Sequence, residues 1–168
     1  MKKAVFITAP DIFRDEEYFE PKKILEDNGI TVKTASLKTG RLNGKLGGTA
    51  ESNMLLKDVK VSDFDAIVFV GGAGASVFFD NADALKLAKD FFNAGKVTAS
   101  ICISGVTLAN SGILKGKRAS VYPDGKEDLI KGGALYTGQH LEIDGNIITA
   151  DGPDAASDFG SAILKALA

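Results

Sequence analysis

The one cysteine of the chain, Cys102, stands between a β-prone run and a helix-like stretch, in the sequence Gly95-Lys96-Val97-Thr98-Ala99-Ser100-Ile101-Cys102-Ile103-Ser104-Gly105-Val106-Thr107-Leu108-Ala109-Asn110. A strand that turns abruptly into a helix lifts the residue at the turn out of the sheet and aims backbone N–H groups at it. Small neighbours permit such a turn, and Ser100, Ser104 and Gly105 supply them. A thiol at a helix N-terminus also feels the positive end of the macrodipole, which favours thiolate. These residues suit a strained nucleophile elbow carrying a reactive thiol. The alternative is a buried cysteine that fills space as a small hydrophobe.

A second stretch of interest is Gly71-Gly72-Ala73-Gly74, directly after the apolar run Asp65-Ala66-Ile67-Val68-Phe69-Val70. It is not a nucleotide loop: neither G-x-G-x-x-G nor G-x-x-x-x-G-K-[ST] occurs. Glycines there either permit a tight turn with positive φ or let backbone N–H groups approach a reacting centre. In open parallel sheets the carboxyl ends of the strands share one edge, and ligands bind there. That places Gly72 and Cys102 on the same edge. The only histidine, His140, falls in an expected strand far from this pair and reads as a surface residue.

The elements that must position these residues alternate. Ala4–Ala9 is a short continuous apolar run, as expected of a strand buried on both faces. A helix from about Glu16 to Asn28 and a strand from Ile30 to Ala35 complete a βαβ opening. Residues 36–62 are irregular; Asn43-Gly44 predicts a hairpin turn, with small strands outside the main sheet. Strand Asp65–Val70, a helix from Asp80 to Asn93 and the elbow strand follow. Next come a strand Ala119–Tyr122, a helix from Pro123 to Ile130, and strands between Leu135 and Ala150 with a turn at Asp144-Gly145. A helix from Asp154 to Ala168 ends the chain. The pattern predicts one domain, 1–168, of α/β class: a flavodoxin-like three-layer sandwich with a mostly parallel sheet and helices on both faces.

Composition narrows the function classes. The 168 residues are 45% hydrophobic and 25% charged, with 20 basic against 22 acidic residues and a net charge of -2. No basic block would track a nucleic-acid backbone, and no apolar run is long enough to span a bilayer. One cysteine forms no intrachain disulfide, and no Cys/His cluster suggests a metal site or calls for a cofactor. The first strand starts almost at Met1, leaving no room for a secretory leader, so a cytoplasmic protein is expected.

Several motifs together resemble the ThiJ/PfpI family of the class I glutamine amidotransferase-like superfamily, which includes the Parkinsonism-associated deglycase and archaeal intracellular peptidases. The carriers are Phe13-Arg14-Asp15-Glu16-Glu17, Val70-Gly71-Gly72, Ala99-Ser100-Ile101-Cys102, Gly112-Ile113-Leu114-Lys115-Gly116, Tyr122-Pro123 and Asp151-Gly152-Pro153. The resemblance spans essentially the whole chain. It implies that Cys102 is the elbow nucleophile, that Glu17 hydrogen-bonds the thiol, and that the backbone amides of Gly72 and Ile103 form an anion pocket. Like-charge repulsion and desolvation would keep such a glutamate protonated. The chain departs from the pattern at two positions. The peptidase branch has a histidine base where Ile103 stands, and the deglycase branch has a histidine where Tyr122 stands, a phenol being a poor base at neutral pH.

Three functions follow from this reading. The first is a cysteine-dependent stress-response enzyme acting on small reactive carbonyls, glyoxalase- or deglycase-like, with Tyr122 in a supporting place. The second is an oxidant-sensing or chaperone-like protein without robust turnover, its thiol on the sulfenic–sulfinic ladder. The third, an intracellular cysteine peptidase, is disfavoured by Ile103. The resemblance also implies a homodimer, for which Tyr18 and Phe19 offer apolar surface unless they belong to the core.

Overall fold

The computed structural model describes all residues, 1–168. The elements in chain order are β1 (Lys3–Ile7), β2 (Asp11–Phe13), α1 (Asp15–Asp27), β3 (Thr31–Ser36), β4 (Gly40–Gly44), β5 (Thr49–Ser52), β6 (Met54–Leu55), β7 (Ala66–Phe69), α2 (Ala82–Asn93) and β8 (Val97–Ile101). They continue with α3 (Gly105–Ser111), β9 (Arg118–Ala119), α4 (Lys126–Lys131), β10 (Leu135–Tyr136), β11 (Leu141–Asp144), β12 (Ile147–Ala150) and α5 (Ala156–Leu167).

Seven strands form the main sheet in the order β11-β12-β8-β7-β1-β3-β6. All pairings are parallel except β11 with β12. Strand alternation divides the core into two layers. Val5, Ile7, Ile67 and Phe69 face one side and pack with Ala88 and Phe91 of α2, Leu108 of α3 and Leu129 of α4. Ala4, Phe6, Val68 and Ile101 face the other and pack with Tyr18 and Leu25 of α1 and Phe159 and Ile163 of α5. This is the mostly parallel sandwich the alternating pattern predicts. The central strands are fully buried, which explains why they read as continuous apolar runs. Asn81 caps α2, its side chain accepting the Ala84 N–H at 3.0 Å, a bond that satisfies one orphan donor of the first turn.

Three local expectations need correction. The segment expected as strand Ala119–Tyr122 pairs only over Arg118–Ala119, with β10 in a separate two-stranded sheet. Its later N–H groups go elsewhere: that of Ser120 to Thr149 Oγ1 at 2.8 Å and that of Tyr122 to Cys102 O at 3.2 Å. Asn43-Gly44 ends β4 rather than forming the turn, which lies at residues 45–48 before β5. The Asp15 carboxylate draws the turn there by accepting the Leu46 and Gly48 N–H groups at 2.9 and 2.8 Å. Finally, β4 and β5 do lie outside the main sheet, with β2, but β6 joins its edge beside β3. No helix is long and apolar enough to cross a membrane.

Candidate active site

Strands β1, β7 and β8 end together on one edge of the sheet, at Ile7, Phe69 and Ile101. Immediately beyond β8 the chain turns. Cys102 has φ 60, one of two non-glycine residues with positive φ. That conformation costs an L-residue on the order of 1–3 kcal/mol and persists only where its surroundings hold it. Ser104 does much of the holding. Its hydroxyl accepts the Ile101 N–H at 3.1 Å and lies 2.8 Å from Phe69 O and 2.6 Å from Ile101 O. The side chain thereby ties the turn to both β7 and β8. A short 3₁₀ turn, Cys102–Ser104, precedes α3, which is only seven residues long.

Glu17 comes from the first turn of α1 and is completely buried. Neither carboxyl oxygen meets a conventional hydrogen-bond partner; the Cys102 thiol and the Gly71 backbone are the polar groups acting on them. Burial pushes the Glu17 carboxyl up to about 8, against smaller opposing effects of the thiol and Arg14. Burial favours the protonated form, because the charged form would lose its hydration.

Gly71 is obligatory for this pairing. A Cβ at that position would overlap Glu17 Oε2 and stand 2.6 Å from Cys102 Cβ and 2.7 Å from Ile101 O. Gly72 follows with φ +101, and a Cβ there would come within 2.5 Å of Arg14 N and 2.6 Å of Ile12 O. The glycine pair thus lets the segment after β7 run directly between the first βα loop and the elbow. The Arg14 N–H donates to Gly71 O at 3.0 Å, fastening that loop in place.

The thiol does not have the depressed pKa that its place before a helix suggested. It is 9% exposed, and burial, with the Glu17 charge as second cause, pushes it up to about 12. The backbone N–H groups of Ile103 and Gly72 pull the other way. They are outweighed because dehydration penalises a thiolate directly. The Glu17 contribution exists only while Glu17 is ionised.

A cleft of about 400 Å³ opens over the sulfur, lined by Arg14, Glu17, Lys45, Gly72, Ala73, Cys102, Ile103, Tyr122, Asp124 and Pro153. The cleft lining includes the five residues that the resemblance pointed to, Cys102, Glu17, Gly72, Ile103 and Tyr122. Tyr122 is 41% exposed. His140 does not line the cleft. It precedes the edge strand β11 and pairs its Nδ1 with Asp151 Oδ1 at 3.1 Å. Sequence reasoning missed Arg14 and Lys45 as cleft residues, and missed Ile12, which has φ 57 beside the site. Tyr18, considered for an interface, is core: its hydroxyl lies 2.8 Å from Thr34 Oγ1. Phe19 beside it is partly exposed.

Residues 2–166 match the DJ-1/PfpI family. The chain belongs to that family. Among relatives of known sequence, an uncharacterized protein of Methanocaldococcus jannaschii is 44% identical over 98% of this chain and 82% of its own length. A protein of Pyrococcus abyssi named a deglycase is 34% identical over 89% of this chain and 90% of its own. A putative cysteine protease of Bacillus subtilis is 31% identical over 99% of both chains. Among solved structures, a ThiJ/PfpI domain protein of Brachyspira murdochii superposes with a TM-score of 0.96 at 34% identity, covering 98% of this chain and 95% of its own. DJ-1beta of Drosophila melanogaster gives 0.88 at 29% identity, covering 99% and 90%. DJ-1/PfpI membership accounts for the flavodoxin-like sandwich and for the motifs that meet at the cleft.

Proposed function

We propose that this DJ-1/PfpI protein is a cysteine-dependent stress-response enzyme of deglycase or glyoxalase type that acts on small reactive carbonyls. The observation that carries the reading is the juxtaposition, across Gly71, of a strained thiol and a fully buried carboxyl whose pKa burial raises. In the reaction the Cys102 sulfur adds to an aldehyde carbon. The S–C bond forms as the C=O π bond opens, and the first intermediate is an enzyme-bound hemithioacetal, whose S–C bond must break again to free the thiol for turnover. The thiol proton passes to one oxygen of Glu17 while the proton already on Glu17 passes to the former carbonyl oxygen. No oxidant or metal is consumed, and no histidine is required. The amides of Ile103 and Gly72 favour negative charge on sulfur as it develops, the role of preorganised donors at a reacting centre. Tyr122, held by its own N–H to Cys102 O, forms a wall of the cleft. Names of relatives point both to deglycases and to a protease. Ile103 stands where the peptidase branch has its histidine base, which disfavours the protease reading; the deglycase histidine is likewise replaced, by Tyr122, so the carbonyl reading assigns proton transfer to Glu17 instead.

Methylglyoxal consumption by the wild type and by Cys102→Ser tests the reading. Turnover that vanishes in the variant supports it. Turnover that survives refutes it. Slow single-turnover oxidation of Cys102 with no carbonyl consumption favours the oxidant-sensing alternative instead. A cytoplasmic homodimer belongs to the same reading, and the molar mass in solution tests the dimer.

A further inference from the structure

Strands β4 and β5 stand apart from the main sheet, yet their turn reaches the cleft. Lys45 opens that turn, and its N–H donates to Phe13 O at 2.9 Å. Asp15 fastens the rest of the tip through the Leu46 and Gly48 N–H groups. Three hydrogen bonds therefore fix the tip against the loop that carries Arg14 and Glu17. Lys45 and Arg14 line the cleft with Cys102. Arg14 gives Nε to Glu16 Oε2 at 2.7 Å, so much of its charge is already answered. Lys45 makes no salt bridge. The carboxylate of Asp124 also lines the cleft but arrives on a different segment, after Tyr122 and Pro123. At about 400 Å³, the cleft lies in the range that holds ligands well above three-carbon size. An unpaired cation on a fastened tip, at the mouth of a cleft with room to spare, is suited to receive part of a substrate that the thiol does not touch.

We propose that the Lys45 ammonium receives an anionic group on the carbonyl substrate, so that the cleft selects aldehydes bearing a carboxylate or phosphate over neutral aldehydes of similar size. The proposal rests on addition of Cys102 to the carbonyl and assigns the substrate class for that same site. Lys45 orients; it takes no part in bond making. Its charge raises the local concentration of anions and turns the aldehyde end toward the sulfur.

Two measurements test it, the first independent of turnover. Cys102 is alkylated with iodoacetate and with iodoacetamide, which differ chiefly in charge, and the ratio of rates is compared with that for free cysteine. The wild-type ratio should exceed the free-cysteine ratio by on the order of five-fold. The excess should disappear in Lys45→Met, persist in Lys45→Arg, and shrink near 1 M salt, where the Debye length falls to about 3 Å. A wild-type ratio equal to that of free cysteine, or one unchanged in Lys45→Met, overturns the proposal. The second measurement compares kcat/KM for glyoxylate against glyoxal and for glyceraldehyde 3-phosphate against glyceraldehyde. Preference for the anionic member of either pair, lost in Lys45→Met, supports the proposal and identifies carboxylate or phosphate as the group. Preference for neither overturns it while Cys102-dependent turnover of the neutral aldehydes still stands. Turnover that survives Cys102→Ser refutes the carbonyl reading, and the alkylation ratio continues to report on Lys45.

Discussion

Glu17→Gln should make the protein's stability less sensitive to pH, and the size of the effect follows from a carboxyl that burial raises against the smaller opposing effects of the thiol and Arg14. In the folded chain the Glu17 carboxyl titrates at about 8, against an ordinary value of 4.5. The folded state therefore holds a proton that the unfolded state releases at lower pH. Stability from this group is complete below 4.5 and is lost as the pH rises through 8. Across the whole interval the loss amounts to about 5 kcal/mol, of which about 4 kcal/mol falls between roughly pH 5 and pH 8.5. Opening of the site to water would reduce it. Against a total stability of about 5–15 kcal/mol, even half of that is measurable. Cys102 does not obscure the window, since its own raised pKa of about 12 withdraws stability only above the ordinary thiol range. Glu16, whose pKa is lowered by its bond to Arg14, acts on the acid side, losing its contribution as the pH falls below 4.5. Urea midpoints and m values of the wild type and Glu17→Gln at the two pH values isolate Glu17. The wild type should lose several kcal/mol relative to the variant on going to pH 8.5. A wild-type-to-variant difference that is the same at both pH values would mean that Glu17 is ionised throughout, and the proton relay proposed for it would fail.

Gly71→Ala should cost about 1–3 kcal/mol from overpacking and abolish carbonyl turnover, because the new methyl displaces Glu17 from Cys102; thermal melts and methylglyoxal assays check the two halves. Ser104→Ala removes the hydroxyl that joins the elbow to Phe69 O and Ile101 O and should cost about 1–3 kcal/mol, with a larger loss of kcat than of substrate affinity. Ile12→Gly removes a β-branched, 49% exposed residue from φ 57 and should raise the melting temperature by the equivalent of up to about 1 kcal/mol; a lower melting temperature would show that the Ile12 side chain contributes more than its backbone costs. Purified protein should show no Cys102-dependent hydrolysis of peptides, since no histidine lines the cleft; peptidolysis lost in Cys102→Ala would reveal a base from elsewhere.

What the sequence disclosed and what it withheld divide along one physical line. Ile67-Val68-Phe69 and Thr98-Ala99-Ser100-Ile101 announce buried strands because burial on both faces imposes short runs of apolar and small residues. The elbow was legible for a related reason: small residues around Cys102 are a requirement of local geometry, and φ 60 at Cys102 is that geometry. Glu17 was not legible from its neighbours. It sits among Asp15 and Glu16 in a first turn that any helix would favour, and only the family resemblance set it apart. Ile12 left no trace: it lies between the first expected strand and the first expected helix, and nothing in its type signals the φ 57 that the fold forces on it. Tyr122 reads as strand because its β-prone side chain says nothing of the Cys102 carbonyl that takes its N–H. The thiol pKa misled most instructively. A helix dipole is a local property that can be inferred from neighbouring residues, whereas dehydration of Cys102 depends on Glu17 and Gly71, distant in sequence and packed against it. Local signals therefore located the strained turn at Cys102 and gave the wrong sign for the acidity of its thiol. Burial raises the pKa of both the thiol and the carboxyl, and the ionised Glu17 raises that of the thiol further, so under the proposed mechanism reactivity depends on how the Cys102–Glu17 pair shares its protons rather than on an acidic cysteine.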